Sequence, residues 1–192
     1  MNDVLILDNL DSFTYNLVDM LKKLNQNVII YRNTIPVQTI ILALTYMKNP
    51  IIILSPGPGT PKNSGCLLKI IKFCKGKIPI FGICLGYQAI VSVYGGKICY
   101  ANEIMHGKVS YIVHDQLEMF LNVPNPLLVA RYHSLICDDI PKNLIVNARS
   151  KNTIMAIRNN YDRICGLQFH PESILTVYGE ILLKKHIQWL RS

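Results

Sequence analysis

A chain of 192 residues, half of them hydrophobic and 17% charged, carries enough apolar surface for one core and too little polar excess to stay disordered. Its formal charge of +8 invites a nucleic-acid interface. The basic residues, however, are scattered singly or in pairs such as "LKKL" and "LLKKH", with no stripe interleaved with aromatics, so a solvated surface and no nucleic acid are expected. The most apolar stretch, "TIILALTYMKNPIIILS", is cut by Lys48, Asn49 and Pro50 and cannot span a membrane. "MNDVLILDNLDS" is too short in its apolar run and too acidic for a signal peptide, which makes the cytoplasm the expected location. Six cysteines, at 66, 74, 84, 99, 137 and 165, form no CxxC and no Cys/His cluster; neither a disulfide framework nor a metal site is expected.

In chain order, "VLIL" reads as a short buried strand, followed by a helix that Asp11 or Ser12 can cap and whose Phe13, Leu17, Leu21 and Leu24 recur at helical spacing. "VIIY" is a second strand, and Pro36 can open the helix "PVQTIILALTYM". "IIIL" is a third strand, leading into the turn-rich "SPGPGTPKNSG"; the helix "CLLKIIKFCK", the strand "IPIF" and a helix over 87–94 closed by Gly95 and Gly96 come next. Continuously apolar strands alternating with helices predict a parallel sheet covered on both faces. Beyond residue 105 the pattern changes to short strand-like pieces, "KVSYIV", "LLVARY", "LIVNAR", "TIMAIR" and "RICGLQF", before a last helix, "GEILLKKHIQWL". The expectation is one α/β domain over 1–192: a mostly parallel, doubly wound, flavodoxin-like central sheet with a strand-rich second half. Ligands of such sheets bind beyond the carboxyl ends of the strands.

The chemistry is carried by three stretches. In "GICLG" a cysteine, Cys84, stands between Gly82 and Gly86 at a strand-to-helix junction, the pattern of a nucleophile elbow with sulfur in place of a serine hydroxyl. The thiol would lie at a helix N-terminus, where the dipole favours thiolate, and the N–H of Leu85 would be free to stabilise an oxyanion. The other five cysteines lack that setting and read as packing residues. In "QFHPES" the extended backbone that Pro171 imposes on His170 puts His170 and Glu172 on one side, a base beside the carboxylate that orients it. His106, His114, His133 and His186 read as structural. "LSPGPG" is a stiff loop whose backbone can approach a ligand closely, and it lacks the spacing of a phosphate loop.

Together, "SPGPG", "GICLGYQ" and "QFHPES", in this order over the whole chain, resemble the class I glutamine amidotransferases. The resemblance implies that Cys84 attacks the side-chain amide of L-glutamine to form a γ-glutamyl thioester, His170 shuttles protons and Glu172 orients it. Gly57, Pro58, Gly59, Leu85, Gln88, Ser134 and Leu135 would hold the glutamine, with Gly59 and Leu85 offering oxyanion N–H groups. Such proteins pass ammonia through a channel to a synthase, here expected as a separate partner subunit. "DNLDSFTYNL", "MHGK", "RYHSL" and "HPESILT" are similar to the branch serving chorismate-using enzymes. "NPLLVARYHSL" and "RICGLQFHPESILTVYG" are most similar to the amidotransferase component of anthranilate synthase, with that of aminodeoxychorismate synthase, or one subunit serving both, as the alternative. That implies a large, chorismate-binding partner carrying Mg²⁺, and no cofactor in this chain. Tyr87 departs from the family pattern, which commonly has His there. The loop "DNLDSFTYN" fits either a partner contact or a plain helix cap.

Overall fold

The computed structural model describes residues 3–101, 103 and 105–192. Strands and helices alternate through its first half: β1 (Asp3–Asp8), α1 (Thr14–Lys23), β2 (Asn27–Arg32), α2 (Val37–Tyr46), β3 (Ile51–Leu54), α3 (Leu67–Cys74), β4 (Ile80–Ile83) and α4 (Leu85–Val93). There follow β5 (Lys97–Tyr100), β6 (Lys108–His114), β7 (Leu127–Arg131), β8 (Leu135–Asp139), β9 (Ile145–Ser150), β10 (Thr153–Asn159), β11 (Ile164–Leu167) and α5 (Gly179–Arg191). Nine strands form one sheet in the order β2-β1-β3-β4-β11-β10-β9-β6-β7. From β2 to β11 neighbours are parallel; from β11 to β7 they are antiparallel. The expected α/β fold is present, and its strand-rich second half is the antiparallel wing. No helix among the described residues is long and apolar enough to cross a membrane.

The unbroken apolar runs of the parallel strands are explained by two cores. Val4, Ile6, Ile51, Ile53, Phe81 and Ile83 face the helices α1 and α5, whose Leu17, Leu21, Leu182 and Leu183 are fully buried. The intervening Leu5, Leu7, Ile52, Leu54 and Ile80 face α2, α3 and α4 through Ile40, Ile70, Ile71 and Ile90. A strand covered on both faces has no position to spare for a polar residue.

Three local outcomes differ from the sequence expectation. The fourth strand starts at Ile80 and runs through Gly82 to Ile83, so it reaches Cys84 directly, and α4 starts at Leu85, two residues earlier than predicted. Asp11 does not cap α1 by its side chain; its carboxylate accepts from the Phe13 N–H (2.8 Å), one residue ahead of the helix, while Asp8 Oδ1 accepts from Thr14 Oγ1 (2.8 Å). "KICY" and "LICDD" form β5 and β8, an antiparallel ribbon apart from the main sheet. Four- and five-residue strands without alternation leave no periodic signal; tertiary pairing decides them.

Candidate active site

Strand β4 delivers Cys84 to the carboxyl edge of the sheet in a backbone conformation (φ 50°, ψ −101°) that a side-chain-bearing residue adopts only under constraint. The constraint is visible on both sides. The Cys84 N–H donates to the Leu167 carbonyl of β11 (2.8 Å), and the Cys84 carbonyl accepts from the Gln88 N–H (3.0 Å) to start α4. The flanking glycines are needed for space: a Cβ on Gly82 would stand 2.6 Å from Gly86 C, and one on Gly86 2.5 Å from the Leu54 carbonyl oxygen. Strand, elbow and helix thus pack closer than any other residue allows.

The parallel pairing of β4 with β11 brings the segment 168–173 to the same edge. His170 Nδ1 is 2.5 Å from Glu172 Oε1, and both residues are buried. His170 Nε2 and Glu172 Oε2 have no hydrogen-bond partner among the described residues. Burial works against a charged imidazole at His170, but the Glu172 carboxylate, joined by Cys84, outweighs it and holds the ring well above the usual histidine range. The loop is clamped from behind: Thr176 Oγ1 donates to the His170 carbonyl (2.7 Å) and accepts from the Ala130 N–H (3.0 Å), and the His170 N–H donates to the Ala130 carbonyl (3.1 Å). Tyr132 crosses the His170 ring edge-on (centroids 4.9 Å), and Phe13 stands beside both.

Above Cys84 opens a cleft of about 150 Å³ lined by Gly57, Pro58, Gly59, Cys84, Leu85, Gln88, Tyr132, His133, Ser134 and Leu135. Every residue expected to hold a ligand is in that lining, and His170 and Glu172 lie buried beside it. The Gly57–Gly59 loop is fixed by the loop after β1: the Asn9 N–H donates to Ser55 Oγ (2.8 Å) and Asn9 Nδ2 to the Ser55 carbonyl (2.8 Å). A Cβ on Gly57 would meet the Asn9 carbonyl oxygen at 2.4 Å. The stretch "DNL" therefore braces the ligand loop from within the chain. The N–H groups of Gly59 and Leu85 take part in no hydrogen bond among the described residues.

Gln88 donates both amide protons, to the Leu135 carbonyl (3.1 Å) and to Gln168 Oε1 (3.2 Å). Toward a ligand it can therefore only accept. His133 is the one default-structural histidine that reaches the cleft. Its Nδ1–H donates to the Leu135 carbonyl (3.0 Å) and its Nε2 accepts from Arg131 Nε (3.0 Å). Burial and the neighbouring guanidinium push it down to about 4, so it is a neutral prop for the Ser134–Leu135 peptide. His133 is thus structural, as expected, though it lines the cleft, while Tyr132 and Gln168 escaped the sequence reading; Tyr132 stands in "RYHSL", and Gln168 opens the very motif that holds His170. Tyr87 points away from the cleft into the second core, with its hydroxyl donating to the Ile154 carbonyl (3.3 Å). The remaining cysteines are buried except the half-buried Cys99, and no cluster of three or more His, Cys, Asp or Glu able to hold a metal occurs among the described residues.

A strained thiol at a helix N-terminus, a histidine paired to a buried carboxylate, and free N–H groups facing a small cleft can carry out acyl transfer through a thioester. The comparisons with known proteins agree in kind. A family model described as Glutamine amidotransferase class-I matches residues 5–189. A protein of Buchnera aphidicola subsp. Schizaphis graminum named anthranilate synthase component 2 is 61% identical over 98% of this chain and 96% of its own. The protein of that name from Vibrio parahaemolyticus is 48% identical over the same shares. A solved structure from Thermoplasma acidophilum superposes with a TM-score of 0.87 at 22% identity, covering 100% of this chain and 94% of that one.

Proposed function

The chain belongs to the class I glutamine amidotransferases, and from that premise we propose that the whole chain, 1–192, is the glutamine-hydrolysing subunit of an anthranilate synthase. Relatives carrying that component's name match it along almost its full length. In this reading the Cys84 thiolate attacks the carboxamide carbon of glutamine. The oxyanion is met by the N–H groups of Leu85 and Gly59, and His170 hands a proton to the leaving ammonia. Water, deprotonated by the same imidazole, then releases glutamate from the thioester. Glu172 keeps His170 in one orientation throughout. The peptide at Ser134–Leu135 and the accepting oxygen of Gln88 orient the substrate beside the elbow.

The observation that carries the reading is the meeting of Cys84 with the His170–Glu172 pair at one sheet edge, on the 2.8 Å bond from the Cys84 N–H to the Leu167 carbonyl. Ammonia set free in water becomes ammonium and loses its nucleophilicity. A partner subunit that binds chorismate, with its Mg²⁺, must therefore cover the cleft and take up the ammonia, giving a hetero-oligomer in the cytoplasm.

The test combines the protein with an anthranilate synthase large subunit, chorismate, Mg²⁺ and glutamine, and follows anthranilate fluorescence. The expected result is glutamine-dependent product that Cys84→Ala abolishes and an ammonium salt restores. Wild-type protein that yields nothing with glutamine, while ammonium still drives the partner, would overturn the assignment and leave the aminodeoxychorismate partner to be tried.

A further inference from the structure

The segment that carries His170 and Glu172 bends at Gln168–Phe169 and turns at Pro171–Glu172, where the Ser173 N–H donates to the His170 carbonyl (3.3 Å), and it brings a third polar side chain to the elbow. Gln168 stands two residues before His170, while Phe169 between them is fully buried in the core. The bond from the Cys84 N–H to the Leu167 carbonyl sets the next residue, Gln168, directly against the elbow. Its carboxamide is fully buried; Nε2 donates to Cys84 Sγ at 3.7 Å, and Oε1 accepts from Gln88 Nε2 at 3.2 Å.

We propose that Gln168 is a positioning residue for the nucleophile, holding the Cys84 sulfur through its Nε2–H while Gln88 fixes which way its carboxamide faces. The proposal rests on the reading of Cys84 as nucleophile.

Three features support it. An amide group can present either end, and here the choice is settled: Gln88 spends one proton on Gln168 Oε1 and the other on the Leu135 carbonyl, so Gln168 must turn its NH₂ toward sulfur. The aim of Gln88 is itself fixed, because it sits one turn after Cys84 on α4, with its own N–H on the Cys84 carbonyl (3.0 Å). Leu135 is held in turn by His133, and His133 by Arg131. An unbroken set of hydrogen bonds therefore links the peptide that lines the ligand cleft to the sulfur. A length of 3.7 Å suits an N–H···S contact before substrate arrives, since such bonds tighten only when the reacting complex forms.

The test uses the protein in complex with its synthase partner and two variants. Gln168→Met removes the amide at similar volume. Gln168→Glu keeps the oxygen that Gln88 needs and removes the donor to sulfur. Ammonium-driven turnover, which bypasses Cys84, reports that each variant is folded and assembled. Iodoacetamide alkylation of Cys84, followed by peptide mass spectrometry across the pH range, reports the sulfur directly. Both variants are expected to lose roughly tenfold or more in glutamine-dependent kcat, with KM for glutamine changed by less than about threefold. The alkylation midpoint should move to higher pH, further in Gln168→Glu. A residue that merely fills space would leave the midpoint of Gln168→Met, which adds no charge, where it is. Wild-type kcat and alkylation midpoint in a variant with full ammonium-driven turnover would overturn the proposal. If Cys84→Ala still hydrolyses glutamine, it is the nucleophile assignment that fails, and the role of Gln168 with it.

Discussion

Replacing His186 by phenylalanine should flatten the acid side of the protein's stability curve. His186 is fully buried on α5, stacked on Phe81 (centroids 4.8 Å) and edge-on to Phe120, with its Nδ1–H given to the Leu182 carbonyl (2.7 Å). Burial, only partly offset by that hydrogen bond, lowers its pKa from 6.5 to about 4. The unfolded chain therefore binds a proton at this site that the folded one refuses. The associated stability is complete above pH 6.5 and is lost as the pH falls toward 4. Integrated between pH 7 and pH 5, that loss is about 2 kcal/mol. Phenylalanine retains the stacking and has no proton to take up, while the Leu182 carbonyl keeps its helical partner. Urea unfolding of both proteins at the two pH values, followed by far-ultraviolet circular dichroism, isolates the contribution. His133 acts in the same direction, and His170, whose pKa is raised, in the opposite one; both are common to the two proteins and cancel in the difference. The stability lost between pH 7 and pH 5 should be about 2 kcal/mol smaller in the variant. Equal losses in the two proteins would refute the assignment of His186 as a histidine buried in its neutral form.

Two further outcomes test the site. Glu172→Gln removes the charge that holds His170 up and leaves burial, which favours the neutral ring. Glutamine-dependent kcat in the synthase complex should fall by roughly 10²–10⁴-fold, and the imidazole proton signal in NMR should titrate at lower pH than in wild type; an unchanged titration would show that the carboxylate does not set it. Gly86→Ala and Gly59→Ala should separate packing from backbone conformation. The first forces a Cβ to 2.5 Å from the Leu54 carbonyl oxygen and should cost about 1–3 kcal/mol in urea unfolding. The second meets open space at φ +76° and should cost no more than about 1–2 kcal/mol while raising KM for glutamine, because it distorts the loop in the cleft lining. No stability cost in Gly86→Ala, or an unchanged KM in Gly59→Ala, would contradict the glycine roles read from the structure.

The parts of the fold and site that were legible in the sequence are those in which a short stretch is sufficient by itself. "IIIL" and "VLIL" announce strands buried on both faces because no polar residue interrupts them. "GICLG" announces the elbow because two glycines at that spacing have no other use. "HPE" announces a pair because an imidazole and a carboxylate stand two residues apart, but the structure joins them through a turn at Pro171–Glu172, with the Ser173 N–H on the His170 carbonyl (3.3 Å), and not through the extended backbone expected. Gln168, whose amide reaches the elbow from the bend just before that turn, carries no such local signal. The strands β5 and β8 could not be found this way. Neither could the roles of Tyr132 and His133, which come from tertiary contacts with segments remote in the chain.

What joins the two halves of the site is the register between β4 and β11, Gly82 opposite Gly166 and Ile83 opposite Leu167. No local pattern encodes that register, yet one bulky and one small choice enforce it. Tyr87, on the first turn of α4, lies over Gly166: a Cβ there would stand 3.0 Å from the Tyr87 ring and 3.2 Å from its Cβ. Its hydroxyl reaches across to Ile154 in β10. A slip of β11 by one residue would bring Cys165 or Leu167 under that ring, and would turn each buried side chain of the strand to the wrong face. Tyr87 stands three residues after Cys84 in sequence and faces away from it in space, and its packing on Gly166 fixes the register of β11 against β4. That register, with the Cys84 N–H on the Leu167 carbonyl (2.8 Å), is what sets Gln168 and His170 at the edge where Cys84 emerges.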